Sequence, residues 1–226
     1  MHTKTDPELG KQVEQHLQQL GINTPTTVEL HIDDQLKIEA VTQSMTEIMN
    51  VVGLDLNDDS LVDTPKRVAK MLVLEKFWGL KAENFPKCTT IENKMKHNEM
   101  IVEKCTINSL CEHHFVYFGS LHNPKLGCWI AYIPNERVIG LSKLSRIAEY
   151  FSARPQVQER LVEQISETLK FILNTEHVAV LVKAQHFCVL TRGVSDPHAY
   201  TVTSKLSGAF MDDPATRKEF ISYTLS

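Results

Sequence analysis

No stretch of this chain approaches the roughly 20 consecutive apolar residues that a membrane span needs. Its first residues, Met1-His2-Thr3-Lys4-Thr5-Asp6, lack the apolar segment of a signal peptide. The sequence thus argues against a membrane protein, and a cytosolic location is the default expectation. A large charge of one sign is missing too. The net charge is -4 and the pI about 6.2, so bulk electrostatics suggests neither nucleic acid nor an anionic membrane as partner. Any basic residue that matters must act locally. Internal repeats and low-complexity tracts are absent. Cysteine is scarce and odd in number: the five are Cys88, Cys105, Cys111, Cys128 and Cys188. That is poor material for a disulfide framework and leaves thiols free for metal or catalysis. What remains, 42% hydrophobic and 23% charged over 226 residues, suits one soluble globular domain, or a domain plus a helical extension.

The first third reads as helical. Asp6-Pro7 looks like a cap followed by proline at the first helical position, and Gly21 ends the segment. Residues 22 to 33 read as a linker. A stronger helix runs from Asp34 to Val52, with Ile38, Val41, Met45, Ile48, Met49 and Val52 as its apolar stripe. Asp63-Thr64-Pro65 opens a third helix, expected to reach Trp78 and stop at Gly79. Lys66, Arg67 and Lys70 sit in its early turns, where cations oppose the helix dipole. From Thr89 onward the texture is strand-like, over 100–107, 115–121 and 127–133. Two helices follow, 142–153 with Ser142 as cap and 156–173. Strands return at 178–183, 187–191 and 200–205, and Asp213-Pro214 opens a last helix. Helices and strands are segregated, which favours an α+β fold with a largely antiparallel sheet.

The chemistry gathers in two stretches. Cys111-Glu112-His113-His114 puts a thiol and two imidazoles within four residues, and His186-Phe187-Cys188 repeats the combination downstream. Zinc suits thiolate and imidazole; a catalytic zinc takes three protein ligands and keeps a fourth position open. Cys111 and His114 have a spacing that a turn can wrap around one ion. On a strand, His186 and Cys188 would point to one face. With Cys188 as third ligand, His186 lies beside the metal as a free imidazole, and the site has one or two non-ligand histidines according to whether His113 is a second. Either pair alone also occurs without any metal. Cys105 and Cys128 sit in strand-like runs and read as small buried hydrophobes. Glu112 has no assigned role.

These residues, with others, resemble GTP cyclohydrolase I. The matching stretches are Asp63 to Met71, Cys111 to His114, Ala131 to Pro134, Ile139 to Lys143, Arg154 to Leu161 and His186 to Cys188, with Arg192-Gly193. They stand in family order across residues 35 to 226; residues 1–33 resemble a variable N-terminal extension. The resemblance implies an N-terminal helical region, 1–80, before a catalytic tunnelling-fold unit, 81–226. Chains would assemble into a ring, a homodecamer with sites at subunit interfaces. It implies conversion of GTP and water to formate and 7,8-dihydroneopterin triphosphate, the first step toward folate or biopterin-type cofactors. One zinc per subunit would be held by Cys111, His114 and Cys188, with His113 and His186 as the acid–base pair. Glu159 would read guanine, helped by the backbone of Val157 and Gln158. Ser142, Lys143, Arg146 and Arg192 would hold the triphosphate, with Arg67 from a neighbouring subunit; Lys66 and Lys70 are left to solvent. One departure is visible: residues 121–127 lengthen the turn between two strands, and His122 there is expected to be exposed. Two other readings stand beside this one, another tunnelling-fold enzyme acting on a pterin or deazaguanine, and a zinc-binding regulatory module without catalysis.

Overall fold

The structure is a computed structural model that describes residues 4–27, 32–121 and 123–225. His122 and residues 28–31 of the expected linker lie outside the described residues. The first helix, α1 (Pro7–Gln19), begins as its sequence dictates: the Asp6 side chain accepts from the Leu9 N–H at 3.1 Å. Val13 and Leu17, one turn apart, are fully buried in the same core as the sheet. Helices α2 (Asp34–Val51) and α3 (Thr64–Lys70) pack on each other. Of the α2 stripe only Ile38 and Met49 are buried, whereas Ile48 and Val52 are exposed, as is Val51 beside them. The periodicity is real, but one chain covers only part of it. α3 is shorter than its sequence suggests. It passes into a π-helical turn at Met71–Lys76, then a single 3₁₀ turn at Trp78–Leu80. Gly79 is not an exposed helix stop but a close approach. Its N–H bonds to the Ala153 carbonyl at 2.8 Å, and a Cβ there would lie 2.1 Å from the Tyr150 carbonyl oxygen.

The strands are β1 (Thr90–Glu92), β2 (Ile101–Cys105), β3 (Asn108–Cys111), β4 (Tyr117–Gly119), β5 (Gly127–Tyr132), β6 (Arg137–Ile139), β7 (Pro155–Gln156), β8 (Val178–His186) and β9 (Thr201–Leu206). β1 pairs with β6. The main sheet runs β2-β5-β8-β4-β3-β7, with β9 also on β8. All pairings are antiparallel except β3 with β7. β4 and β5 both pair with β8 and not with each other; the described residues between them, 120–121 and 123–126, lie outside the sheet. The central strand β5 is buried throughout because both its faces are covered. Cys128, Ile130 and Tyr132 share the core of helices α4 (Leu141–Ser152) and α5 (Gln158–Leu173). Trp129 and Ala131 meet Phe210 of α7 (Ala209–Asp212) and Phe220 of α8 (Pro214–Tyr223). This is period-two alternation with apolar residues on both sides, so it reads as a continuous run. No helix among the described residues is long and apolar enough to cross a membrane.

Three expectations are corrected. Residues 187–190 are not a strand but one helical turn, α6 (Phe187–Leu190), because β4 pairs with β8 only as far as His186. Ser142 is not the cap of α4; Gly140 holds that position and Ser142 lies in the first turn. α5 starts at Gln158, since Pro155 and Gln156 are taken up by pairing with Leu110 and Cys111.

Arg154 ties these parts together. Its side chain is 1% exposed and donates to Glu14 Oε1 at 2.8 Å, to Thr24 Oγ1 at 3.1 Å and to the Gly79 carbonyl. The guanidinium also lies 4.7 Å from the Tyr150 ring and 4.9 Å from the Phe151 ring. Arg154 is the buried member of this pair and Glu14 the half-buried one, so Arg154→Met, which removes three hydrogen bonds and leaves Glu14 and the Gly79 carbonyl without this partner, should cost about 3 kcal/mol of stability. Urea unfolding checks this; a loss below about 1 kcal/mol would mean that Glu14 and Thr24 find other partners.

Candidate active site

β3 ends at Cys111 and the chain reverses at once. The Phe115 N–H bonds to the Cys111 carbonyl at 2.8 Å, and the Cys111 N–H to the Val116 carbonyl at 2.9 Å. Phe115 takes φ +51 to close this hairpin tip. The bend expected from the Cys111/His114 spacing is therefore present. β4 leads away from the tip and pairs with the end of β8, Phe118 opposite His186. The α6 turn that follows swings Cys188 toward the tip. One ligand atom from each of Cys111, His114 and Cys188 lies within 4.8 Å of the others. Tetrahedral zinc at ordinary bond lengths would hold them roughly 3.5–3.8 Å apart, a small side-chain rotation away. The donor set fits a soft divalent cation in its chemistry as well. Burial pushes the Cys188 thiol up and adjacent Cys111 pushes it further, so only a nearby positive charge makes two thiolates here inexpensive. Strand alternation, the reason expected from sequence, is not what brings Cys188 in; the helical turn is.

His186 is held by a ring stack and a hydrogen bond. Its ring stacks on Phe118 at 4.7 Å and 3°. Its Nε2 lies 2.8 Å from Gln158 Oε1. The Gln158 amide nitrogen faces the Val182 carbonyl, the Thr201 carbonyl and Thr203 Oγ1, each at 3.1 Å. That amide must therefore present its oxygen to His186, which puts the imidazole hydrogen on Nε2 and leaves Nδ1 free. Burial lowers the His186 pKa, with Glu159 nearby opposing the shift, so the ring is neutral near pH 7. Gln158 was expected to offer only its backbone; its buried side chain positions a histidine. His113 is exposed, with Nδ1 3.8 Å from Cys111 Sγ. Arg192 Nη1 lies 2.8 Å from His114 Nε2. A neutral ring accepting at Nε2 carries its hydrogen on Nδ1, so metal binding there requires Arg192 to let go.

Glu112, without a role in the sequence, fastens the tip to α5. Its carboxylate meets Arg160 at 2.6 and 3.4 Å, and its N–H bonds to the Gln156 carbonyl at 3.0 Å. No sequence spacing could have revealed a pair of opposite charges in two separate stretches. Supports behind a metal ligand matter, so Arg160→Ala should weaken zinc binding about 10- to 100-fold. Competition against a chelating dye measures this; unchanged affinity would make the pair incidental. Glu159, exposed in the first turn of α5, lines an open cavity of about 440 Å³ with Val157 and Arg160.

The remaining expected residues lie elsewhere. Ser142, Lys143 and Arg146 belong to the start of α4, while Cys111 pairs in register with Gln156, just past its end. The helix rises about 14 Å from Lys143 to Ser152. Lys143 and Arg146 line a separate cavity of about 510 Å³. Arg67 is exposed on α3 beside Asp63, at 3.3 Å; Lys66 and Lys70 are exposed as well. Within one chain, then, the cysteine–histidine cluster, His186 and Glu159 form one group and the α4 cations another.

Comparison with known proteins agrees in its direction. The sequence profile of GTP cyclohydrolase I matches residues 41–224. Over 214 residues the chain is 49% identical to GTP cyclohydrolase 1 of Haemophilus ducreyi, covering 94% of this chain and 95% of that one. It is also 49% identical over 220 residues to GTP cyclohydrolase 1 of Pasteurella multocida, covering 97% of each. A crystal structure of archaeosine synthase QueF-Like in the apo form aligns with TM-score 0.38 and 18% identity, over 48% of this chain and 93% of its own, a likeness too slight to add anything. With a profile match across most of its length and near-full-length relatives at this identity, the chain belongs to the GTP cyclohydrolase I family and has its tunnelling fold.

Proposed function

We propose that this chain is a zinc-dependent GTP cyclohydrolase I. It converts GTP and water to formate and 7,8-dihydroneopterin triphosphate, the first step of tetrahydrofolate and pterin synthesis. The observation that carries the reading is the meeting of Cys111, His114 and Cys188 beside His186 and the α5 turn that bears Glu159. Two thiolates and an imidazole suit zinc, one ion per chain. When bound, zinc supplies the Lewis acidity that makes water nucleophilic near neutral pH.

The chain's own residues do the rest. Glu159 accepts from the N1–H and 2-amino group of guanine, a donor pair that adenine lacks, and the backbone of Val157 and Gln158 offers further contacts. Carbon 8 is a poor electrophile until N7 is protonated. His113, open to solvent, delivers that proton. His186, neutral and held at Nε2 by Gln158, takes and returns protons at Nδ1 as the imidazole ring opens and formate leaves. The ribose then rearranges and the pterin ring closes. Ser142, Lys143, Arg146 and Arg192 hold the triphosphate, joined by Arg67 of a neighbouring subunit.

Such a site needs more than one chain. We read the active form as a homodecameric ring, in the cytoplasm, with sites between subunits. The distance along α4 between its cations and Cys111 supports this. So do the exposure of Arg67 and the open apolar residues Ile48, Val51 and Val52. The helical region, 1–80, then serves the neighbour through Arg67, and the catalytic unit, 81–226, carries the other groups. The test is incubation of zinc-loaded protein with GTP, oxidation, and detection of pterin fluorescence and formate. No turnover with zinc fully loaded would sink the reading. A stable, active monomer on gel filtration would overturn the shared site.

A further inference from the structure

The cavity at the start of α4 holds more positive charge than the resemblance accounts for. Its lining is Lys4, Lys87, Thr89, Lys143 and Arg146, four cations and no carboxylate. None of the four has an ion-pair or side-chain hydrogen-bond partner among the described residues. In a chain of net charge -4 this is a local concentration against the overall sign. Four unpaired like charges around one space, two exposed and two half-buried, repel one another through solvent, and an anion entering the space relieves that repulsion.

The two additional lysines are held there by backbone. Residues 4–6 lie antiparallel to residues 85–87: Thr5 bridges Pro86, the Lys87 N–H bonds to the Lys4 carbonyl at 3.0 Å, and the Asp6 N–H bonds to the Phe85 carbonyl at 2.8 Å. Phe85 is fully buried. Just beyond, α1 presses so close to Ala82 that a Cβ on Gly10 would lie 2.0 Å from its carbonyl oxygen. On the other side the Thr89 carbonyl accepts from the Gly140 N–H, at 3.2 Å, which fixes the Lys87 segment beside the α4 N-terminus. Lys4 and Lys87 thus face Lys143 and Arg146 across a defined gap.

We propose that Lys87, with Lys4 outside it, binds the terminal phosphate of the polyphosphate chain whose inner phosphates Lys143 and Arg146 hold. The inference rests on the assignment of those two residues to GTP's triphosphate. A terminal phosphate carries about -1.5 to -2 charges at pH 7, more than an inner one, and meets the outermost cations. The pair thereby selects a nucleoside triphosphate over a diphosphate.

The test uses zinc-loaded full-length protein in its native assembly. Calorimetry with inorganic tripolyphosphate and with pyrophosphate compares the parent with Lys87→Gln, Lys87→Arg and Lys4→Gln. The parent should bind tripolyphosphate more tightly than pyrophosphate. Lys87→Gln should lose about tenfold for tripolyphosphate and under about twofold for pyrophosphate, and Lys87→Arg should restore most of the loss. Lys4→Gln should lose about threefold. The KM for GTP should rise with the tripolyphosphate dissociation constant. Equal affinity of Lys87→Gln and parent for tripolyphosphate would overturn the inference, whatever the protein does with GTP. Weakened tripolyphosphate binding in a protein that never turns over GTP would leave the polyphosphate site standing and remove the activity. Both lysine side chains are exposed, so neither variant should unfold.

Discussion

Cys188→Ala is expected to lose its zinc and its turnover together while remaining folded. The side chain is only half-buried, in a helical turn at the edge of the core, so removing its sulfur leaves no large cavity. What it removes is the one donor of the proposed zinc site that comes from outside the hairpin tip. Cys111 and His114 alone would leave the ion with two protein ligands where a catalytic zinc uses three. Turnover should fall by at least about 10³-fold, since water near neutral pH then lacks its activating ion. Metal content by atomic emission and pterin fluorescence read the two losses separately. Full zinc occupancy in the variant would mean that another residue completes the set. In the parent, zinc uptake should weaken as pH falls. Both thiols must lose protons to bind, and the Cys188 thiol starts above its ordinary value.

The chemistry of this site is easier to read in the sequence than its architecture. Cys111 and His114 declare themselves by residue type and spacing, and the bend between them follows because a straight strand would separate their side chains. β5 is legible as a strand, but its buried run does not say that helices cover both faces. The run Phe187-Cys188-Val189-Leu190 is equally apolar as strand or helix. Four residues are too few for periodicity to decide, and the end of the pairing with β4 decides instead. β1, β6 and β7, two or three residues each, carry no pattern of their own. Glu112 with Arg160 and Gln158 with His186 are contacts between distant segments, and a single sequence holds no signal for either. The α4 cations are proposed as phosphate ligands on the resemblance alone, and nothing in their spacing reveals that they sit at the far end of the helix from the cysteines. The helical spacing of Val13 and Leu17 marks an apolar face on α1, but not that it completes the core of the sheet, nor that Lys4 returns to the start of α4.

His186→Ala should do the opposite of Cys188→Ala to the metal and the same to the rate. The ring is not one of the three clustered ligands, and its Nε2 is committed to Gln158. Zinc should therefore bind with unchanged stoichiometry. Losing the stack on Phe118 should cost about 1 kcal/mol of stability, too little to unfold the chain. Turnover should fall about 10²- to 10⁴-fold, the usual contribution of a positioned acid–base group. Gln158→Leu separates the ring's presence from its orientation. It leaves the imidazole in place but removes the acceptor that fixes the Nε2 hydrogen, so the pH–rate profile should shift as well as the rate fall. Added imidazole should partly restore His186→Ala if the missing function is proton transfer, and should do nothing for Cys188→Ala. If His186→Ala instead loses its metal, His186 is a ligand, and the division of four neighbouring side chains into three that hold zinc and one that moves protons is wrong.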